Sequence, residues 1–330
     1  MVEANEKITV PMQVEYKPAW ISWVASVTGC LNALGVACDL VDVAGFSGYA
    51  FHIGIHPDLC PSGPTVLDWD ALNAGPRMLG RTTLTFISGD CYTDDFKNDR
   101  TRAHCRYAFE IAKREIRQGR PCVIWGAYVP EFAICVGIEG DSYTVNSFKG
   151  AIGQEQPPIK YDEINAPGGP YTLAFPTQTA FKQAARDRDA VINALKFFNF
   201  AYHPYQYGGE AYDLWIDSLK AKRAISFGNA YNAQCYAEGR RFAAEFVKRL
   251  AERNEFAAKE LGKSAKKYGK AADAMSELAK LFPFPGEAEK KVDDEKIIDE
   301  AVDLLKEARE AELKAMKNLA KVAVMDWPKE

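Results

Sequence analysis

Ser22, Glu131 and Asn146 are the side chains whose types and surroundings could do covalent chemistry. Ser22 stands in Ala19-Trp20-Ile21-Ser22-Trp23-Val24-Ala25-Ser26, at the head of an apolar run with helical spacing. A serine is a weak nucleophile unless a base lies beside its hydroxyl. Glu131 follows Pro130 and opens the apolar run from Phe132 to Gly137. It could be that base if burial raised its pKa, or it could be a solvated strand end. Asn146, in Val145-Asn146-Ser147-Phe148, could orient a base, bind ligand or close a turn. Ser22 itself could equally be an ordinary helix N-cap.

His52, His56 and Cys60 recur every four residues, an interval that suits metal ligands on a helix. Gly54 and Pro57 break any helix there, so no metal is expected, and no cofactor. His52 could line a groove as a base, although a hydrogen-bonded structural role is the default for such a histidine. The aromatic stretch Tyr202-His203-Pro204-Tyr205-Gln206-Tyr207 has the apolar bodies and polar tips that suit either a ligand groove or domain packing. If it lines a pocket, that pocket is expected between two domains, facing Ser22.

The elements that must position these groups change character along the chain. Residues 1–176 alternate short apolar runs with Gly and Pro turns. The spacing of Val24, Val27 and Leu31 predicts a helix from Ser22 to Leu34, ended by Gly35. A strand is predicted at 83–88 and a half-exposed helix from Thr101 to Gln118. Three strands follow at Cys122–Ala127, Phe132–Ile138 and Tyr143–Ser147, the last two joined as a hairpin through Gly140-Asp141. After Pro176 the strand signals vanish. Helices are predicted at Ala180–Phe200, Glu210–Lys220, Asn229–Leu261 and Ser264–Leu281. A break at Pro283-Phe284-Pro285-Gly286 precedes a final helix capped by Asp293, with Ile297, Ala301, Leu304, Ala308, Met316, Leu319 and Ala323 on one apolar face. The fold class is α+β: a helix on an antiparallel sheet in residues 1–176, then an all-helical domain in 177–330.

The Ser22 segment, the strand Pro130-Glu131-Phe132-Ala133-Ile134-Cys135-Val136-Gly137 and the strand Tyr143-Thr144-Val145-Asn146-Ser147-Phe148-Lys149-Gly150 together resemble the papain-like cysteine peptidase superfamily. The group they look most like is that of the bacteriocin-leader peptidases and the N-terminal domain of butirosin biosynthesis protein H. Gly45-Phe46-Ser47-Gly48-Tyr49-Ala50-Phe51-His52 and Leu59-Cys60-Pro61-Ser62-Gly63-Pro64 add to the likeness, which covers roughly the first half of the chain. The resemblance implies a papain-like fold. It places Ser22 at the nucleophile position, Phe132 at the histidine position and Asn146 at the orienting asparagine. Tyr16 stands where an oxyanion glutamine is expected, with Gln13 the nearest alternative. The loss of cysteine and histidine together points to a pseudoenzyme that binds a small molecule or peptide in the inter-domain groove. Trp23, Phe51, His52, Phe132, Tyr205 and Tyr207 are its expected ligand-binding residues. The alternative is a hydrolase or acyltransferase for amides or thioesters, using Ser22 with Glu131 or His52 and with Asn146 as orienter.

The formal net charge of -4 carries no basic run, which argues against a nucleic-acid binder. No apolar run is long enough to span a bilayer, and the first residues lack a signal-peptide pattern, so a cytoplasmic protein with no membrane partner is expected. The eight cysteines are scattered with no C-x-x-C pair, which suits reduced thiols. The Ala-, Glu- and Lys-rich C-terminal helices would permit a homo-oligomer.

Overall fold

The computed structural model describes residues 6–286 and 291–328. The chain divides into two compact units, residues 1–43 with 76–180 and residues 44–75 with 181–330. The elements up to residue 180 are β1 (Lys7–Thr9), α1 (Ser22–Ala33), α2 (Leu40–Ser47), β2 (Gly54–Ile55), α3 (Ala74–Met78), β3 (Leu84–Ile87), α4 (Asp99–Arg117), β4 (Cys122–Trp125), β5 (Phe132–Glu139), β6 (Ser142–Asn146), α5 (Phe148–Ala151), β7 (Ile159–Lys160) and β8 (Tyr171–Ala174). Beyond it come α6 (Gln183–Phe198), β9 (Gln206–Tyr207), α7 (Gly208–Lys220), α8 (Ser226–Arg253), α9 (Ala258–Leu281) and α10 (Glu295–Ala323).

The first unit is built on an antiparallel sheet in the order β3-β8-β4-β5-β6-β7, with β1 added to β5. β5 is the axis. β4 covers the first half of one edge, from Trp125↔Phe132 to Cys122↔Cys135, and β1 covers the second half, where Lys7 faces Glu139. β6 takes the other edge through a hairpin that turns at Gly140, whose φ of 59° is easy only for glycine. The β5–β6 ladder shifts register between Cys135 and Gly137, level with the point where the other edge of β5 passes from β4 to β1.

Side chains alternate across the sheet, so β5 offers Phe132 and Ile134 to one side and Ala133 and Cys135 to the other. α1 packs on the Ile134 side. Its Gly29 lies so close that a Cβ there would fall 2.3 Å from the Glu15 carbonyl oxygen and 2.6 Å from Ile134 Cδ1. α4 packs on the opposite side, where Thr172 of β8 donates to the Ala108 carbonyl at 3.0 Å. α4 starts in a capping box between Asn98 and Thr101, two residues before the predicted start. Cys30, Cys105, Cys122 and Cys135 are free thiols buried in this core; burial pushes the Cys105 thiol up to about 12.

The second unit is helical, but it is not made of the C-terminal residues alone. Residues 44–75, which the composition groups with the sheet, pack here among the helices. Ile53, Ile55 and Leu59 share one apolar core with Trp215 of α7, Met275 of α9 and Leu305 of α10. Three further expectations need correction. The region past residue 176 does hold a strand, the two-residue β9, which pairs with β2. The long helix expected to reach Leu261 stops at Arg253, because Asn254 leaves helical geometry with its side chain on Asp187 Oδ2 and the Leu250 carbonyl. α10 is capped by Asp294 rather than Asp293; of its expected apolar face Ala301, Ala308, Met316 and Leu319 are buried, joined by Ile298, Val302 and Leu305. No helix among the described residues is long and apolar enough to cross a membrane.

A buried ion pair ties this unit together. Arg240 of α8 donates through Nε and Nη2 to Glu312 Oε2 of α10 at 3.1 and 2.9 Å, and through Nη1 to the His52 carbonyl at 2.6 Å. Tyr212 of α7 donates to the same carboxylate oxygen. Both charges are fully buried. Such a pair adds little net stability over an apolar replacement but makes the loss of either partner expensive.

The close seat of α1 on β5 predicts that Gly29→Ala destabilises the protein by about 1–3 kcal/mol, despite alanine's better helix propensity, because backbone must move. The urea unfolding midpoint should fall correspondingly; a midpoint equal to or above wild type would contradict it.

Candidate functional site

The N-terminus of α1 meets the start of β5. Seven residues separate Ser22 from Gly29, two helical turns along the same face, so the contact at Gly29 also sets Ser22 against the sheet. Ser22 is not the N-cap. Ile21 occupies that position with no side-chain cap, and no acidic residue stands in the first turn of the helix. The Ser22 hydroxyl turns instead to the sheet, accepting the Phe132 backbone N–H at 3.0 Å and donating to Glu131 Oε2. Glu131 thereby supplies the negative charge that a helix N-terminus favours.

The β4–β5 connection aims that carboxylate. Gly126 turns the chain at φ 79°, where its missing Cβ leaves room for the Asn165 carbonyl, and its N–H bonds the Glu131 carbonyl at 3.0 Å. Ser22 is buried and Glu131 half-buried, so the pair lies at the edge of the core. A hydroxyl hydrogen-bonded to a carboxylate has the geometry of a nucleophile with a general base. The amide on the same oxygen works against that chemistry by engaging a lone pair.

The other two positions of the expected triad lie on the same sheet face but do different work. Phe132 is enclosed, its ring 4.6 Å from Trp125 and 5.5 Å from Tyr171, centroid to centroid. Asn146 stands opposite Ile134 in the ladder and donates from Nδ2 to the Val14 carbonyl at 2.7 Å. Its amide fastens the segment that leads into α1 and does not orient Glu131. Trp23 is wholly buried, with its indole N–H 3.4 Å from the Tyr171 hydroxyl. Tyr171 and Trp125 complete this aromatic layer; their only trace in the sequence is an aromatic residue at a strand terminus. Tyr16 is buried and Gln13 exposed.

Phe51, His52, Tyr205 and Tyr207 belong to the helical unit. Phe51 is packed against Tyr268 at 5.4 Å and Phe246 at 6.4 Å. The His52 ring is enclosed, with Nε2 3.2 Å from the Gly63 carbonyl, and burial lowers its pKa to about 3. A ring so enclosed is a structural histidine rather than a surface base. Tyr207 is buried, with its hydroxyl on the Val66 carbonyl at 3.0 Å. Tyr205 is partly exposed and bonds Ser62. Trp23, Phe51, His52, Phe132 and Tyr207 are all buried. Among the described residues no group of three or more His, Cys, Asp or Glu side chains is placed to hold a metal ion.

No protein-family model matches the chain, and no curated protein matches it.

His52 gives the helical unit a defined acid limb. Its folded pKa, about 3, lies below the ordinary 6.5, so the unfolded chain binds the extra proton between those values. Stability from this group is present above pH 6.5 and is lost as pH falls toward 3, by at most about 1.4 kcal/mol per pH unit. Urea unfolding of wild type and His52→Gln between pH 7 and pH 4 checks this: the difference between them should shrink as pH falls. A constant difference would refute it.

Proposed function

We propose that the sheet unit is a papain-like frame that has given up catalysis for binding, taking a small molecule or peptide at the polar position formed by Ser22 and Glu131. The observation that carries this reading is the engagement of the Ser22 oxygen. One side takes the Phe132 amide and the other gives its proton to Glu131, while no imidazole is present and Asn146 is fastened to Val14. A half-buried carboxylate favours a ligand that brings N–H donors, such as a peptide amino terminus or another amine.

Calorimetric titration with trialanine and with N-acetyl-trialanine tests the reading. The free amine is expected to bind and the acetylated form to bind more weakly. Glu131→Gln should weaken binding of the free amine by about tenfold or more, the worth of one hydrogen bond to a charged group, and Ser22→Trp should abolish it. Equal affinity for wild type and both variants would overturn the proposal.

The Ser22–Glu131 hydrogen bond itself favours a second reading, a hydrolase or acyltransferase for amides or thioesters with Ser22 as nucleophile and Glu131 as base. Incubation with p-nitrophenyl acetate followed by intact-mass measurement separates the two. The binding reading predicts an unmodified chain; an acetyl adduct that disappears in Ser22→Ala would decide for the enzyme.

A further inference from the structure

α9 and α10 run antiparallel, and their charges are sorted by end. Ser264 Oγ donates to the Ala315 carbonyl at 3.0 Å, the Tyr268 hydroxyl lies 2.9 Å from Met316 Sδ, and Lys321 Nζ lies 3.6 Å from Glu260 Oε2. The first half of α9 therefore lies beside the second half of α10. These two halves, residues 258–270 and 310–323, hold eight lysines, among them the exposed Lys263, Lys266, Lys270, Lys314, Lys317 and Lys321. Only Glu260 and Glu310 oppose them there, because Glu312 is buried on Arg240. The other halves, 271–281 and 295–309, hold seven acids against Lys280, Lys296, Lys306 and Arg309. Lys280 and Lys306 are bound to Glu277 and Asp303 on their own helices, and Arg309 to Asp213 of α7.

Helix dipoles do not account for this sorting. A macrodipole favours acids at the start of a helix and lysines at its end, and its effect is confined to the terminal turns. α10 follows that order, but the body of α9 reverses it, with lysines first and Asp273 and Glu277 after them. What the two helices share is an end of the hairpin rather than a chain direction. Their lysines also converge: the Glu310 carboxyl is held below the usual carboxylate range by its bond to Lys314 first, and further by Lys267 and Lys270 of α9. On α10, Asp303, Glu307, Glu310, Lys314, Lys317 and Lys321 are all exposed and recur at alternating steps of four and three. That is the spacing of a straight stripe along which a second helix can lie. Three acids are followed by three lysines, and Leu313, 37% exposed, stands at the centre.

We propose that this stripe is a dimer interface, and that its partner is a second copy of the chain lying antiparallel on it. A two-fold axis at the middle of the stripe sets Glu310 opposite Lys314 of the second copy, Glu307 opposite Lys317 and Asp303 opposite Lys321. The axis repeats each pair, so the contact is isologous and every acid of the stripe meets a lysine. A parallel pairing would set acid on acid and lysine on lysine. The order of charges thus selects both the partner and its direction. The lysines of α9 stand beside those of α10, so the acids of the second copy face two basic rows. Leu313 of each copy falls beside the axis and adds apolar contact there. Exposed ion pairs contribute little singly, so the dimer draws on the whole set and separates when salt screens it.

Sedimentation equilibrium of the full chain tests this. At an ionic strength of about 0.01 M, where the Debye length is about 30 Å, the chain should form a dimer, and at about 1 M, where that length is about 3 Å, a monomer. The variant Lys314→Glu/Lys317→Glu/Lys321→Glu makes the stripe wholly acidic, and Asp303→Lys/Glu307→Lys/Glu310→Lys makes it wholly basic. Each alone should dimerise about tenfold or more weaker than wild type, and an equimolar mixture of the two should associate again. Carbodiimide coupling of the wild type needs no variant. It should join Asp303 to Lys321, which lie about 27 Å apart along one helix and can be coupled only between copies. A wild type that stays monomeric at the low ionic strength overturns the proposal. So does a dimer that both variants leave unchanged, or one without the Asp303–Lys321 product. A monomer that sediments with phosphatidylserine vesicles would assign the lysines to an anionic surface instead, and would overturn it too.

Discussion

The distance at which α1 can lie on β5 governs the sheet unit. A helix without a side chain at Gly29 comes close enough for its backbone to touch Ile134 and the carbonyl of Glu15. From that contact the helix runs back two turns to Ser22, whose hydroxyl then falls beside the Phe132 amide. The β4–β5 turn, fixed at Gly126, carries Glu131 to the same point. The polar pair is thus a result of packing as much as of side-chain choice. A bulkier residue in the helix would separate its members without changing either.

The helical unit rests on a different principle. Its apolar core is crossed by a fully buried arginine and glutamate whose polar atoms reach four separate stretches of chain: α7, α8, α10 and the backbone of His52. Leucine and alanine faces can slide past one another at small cost, but a buried guanidinium accepts few arrangements. The same unit fixes the loop after His52 by its carbonyls, so backbone that would otherwise need water is satisfied by side chains.

Much of the sheet unit was legible from alternation and turn chemistry. The hairpin at Gly140, the three strands from Cys122 to Asn146 and the helix from Ser22 all follow from local pattern. Less visible was anything decided by contacts distant in sequence. Ser22 reads as a cap until Phe132, 110 residues away, takes its oxygen. Asn146 reads as a catalytic orienter or a turn residue until Val14 claims its amide. Aromatic residues suit a pocket and a core equally well, and only the folded structure shows Trp23, Phe51 and Tyr207 to be buried. The end of α8 at Asn254 was hidden because alanine, lysine and glutamate continue across it; the stop is set by a hydrogen bond to Asp187.

The membership of residues 44–75 in the helical unit has a consequence for biosynthesis. The ribosome delivers Ile53, Ile55 and Leu59 long before it delivers Trp215, Met275 and Leu305, the residues that cover them. The sheet unit receives its last strand, β8, while this early segment still lacks its partners. The nascent chain therefore carries an unpaired apolar stretch, anchored at both ends, until the C-terminal helices emerge. Its clusters of glycine and proline keep that waiting stretch from forming a persistent strand of its own.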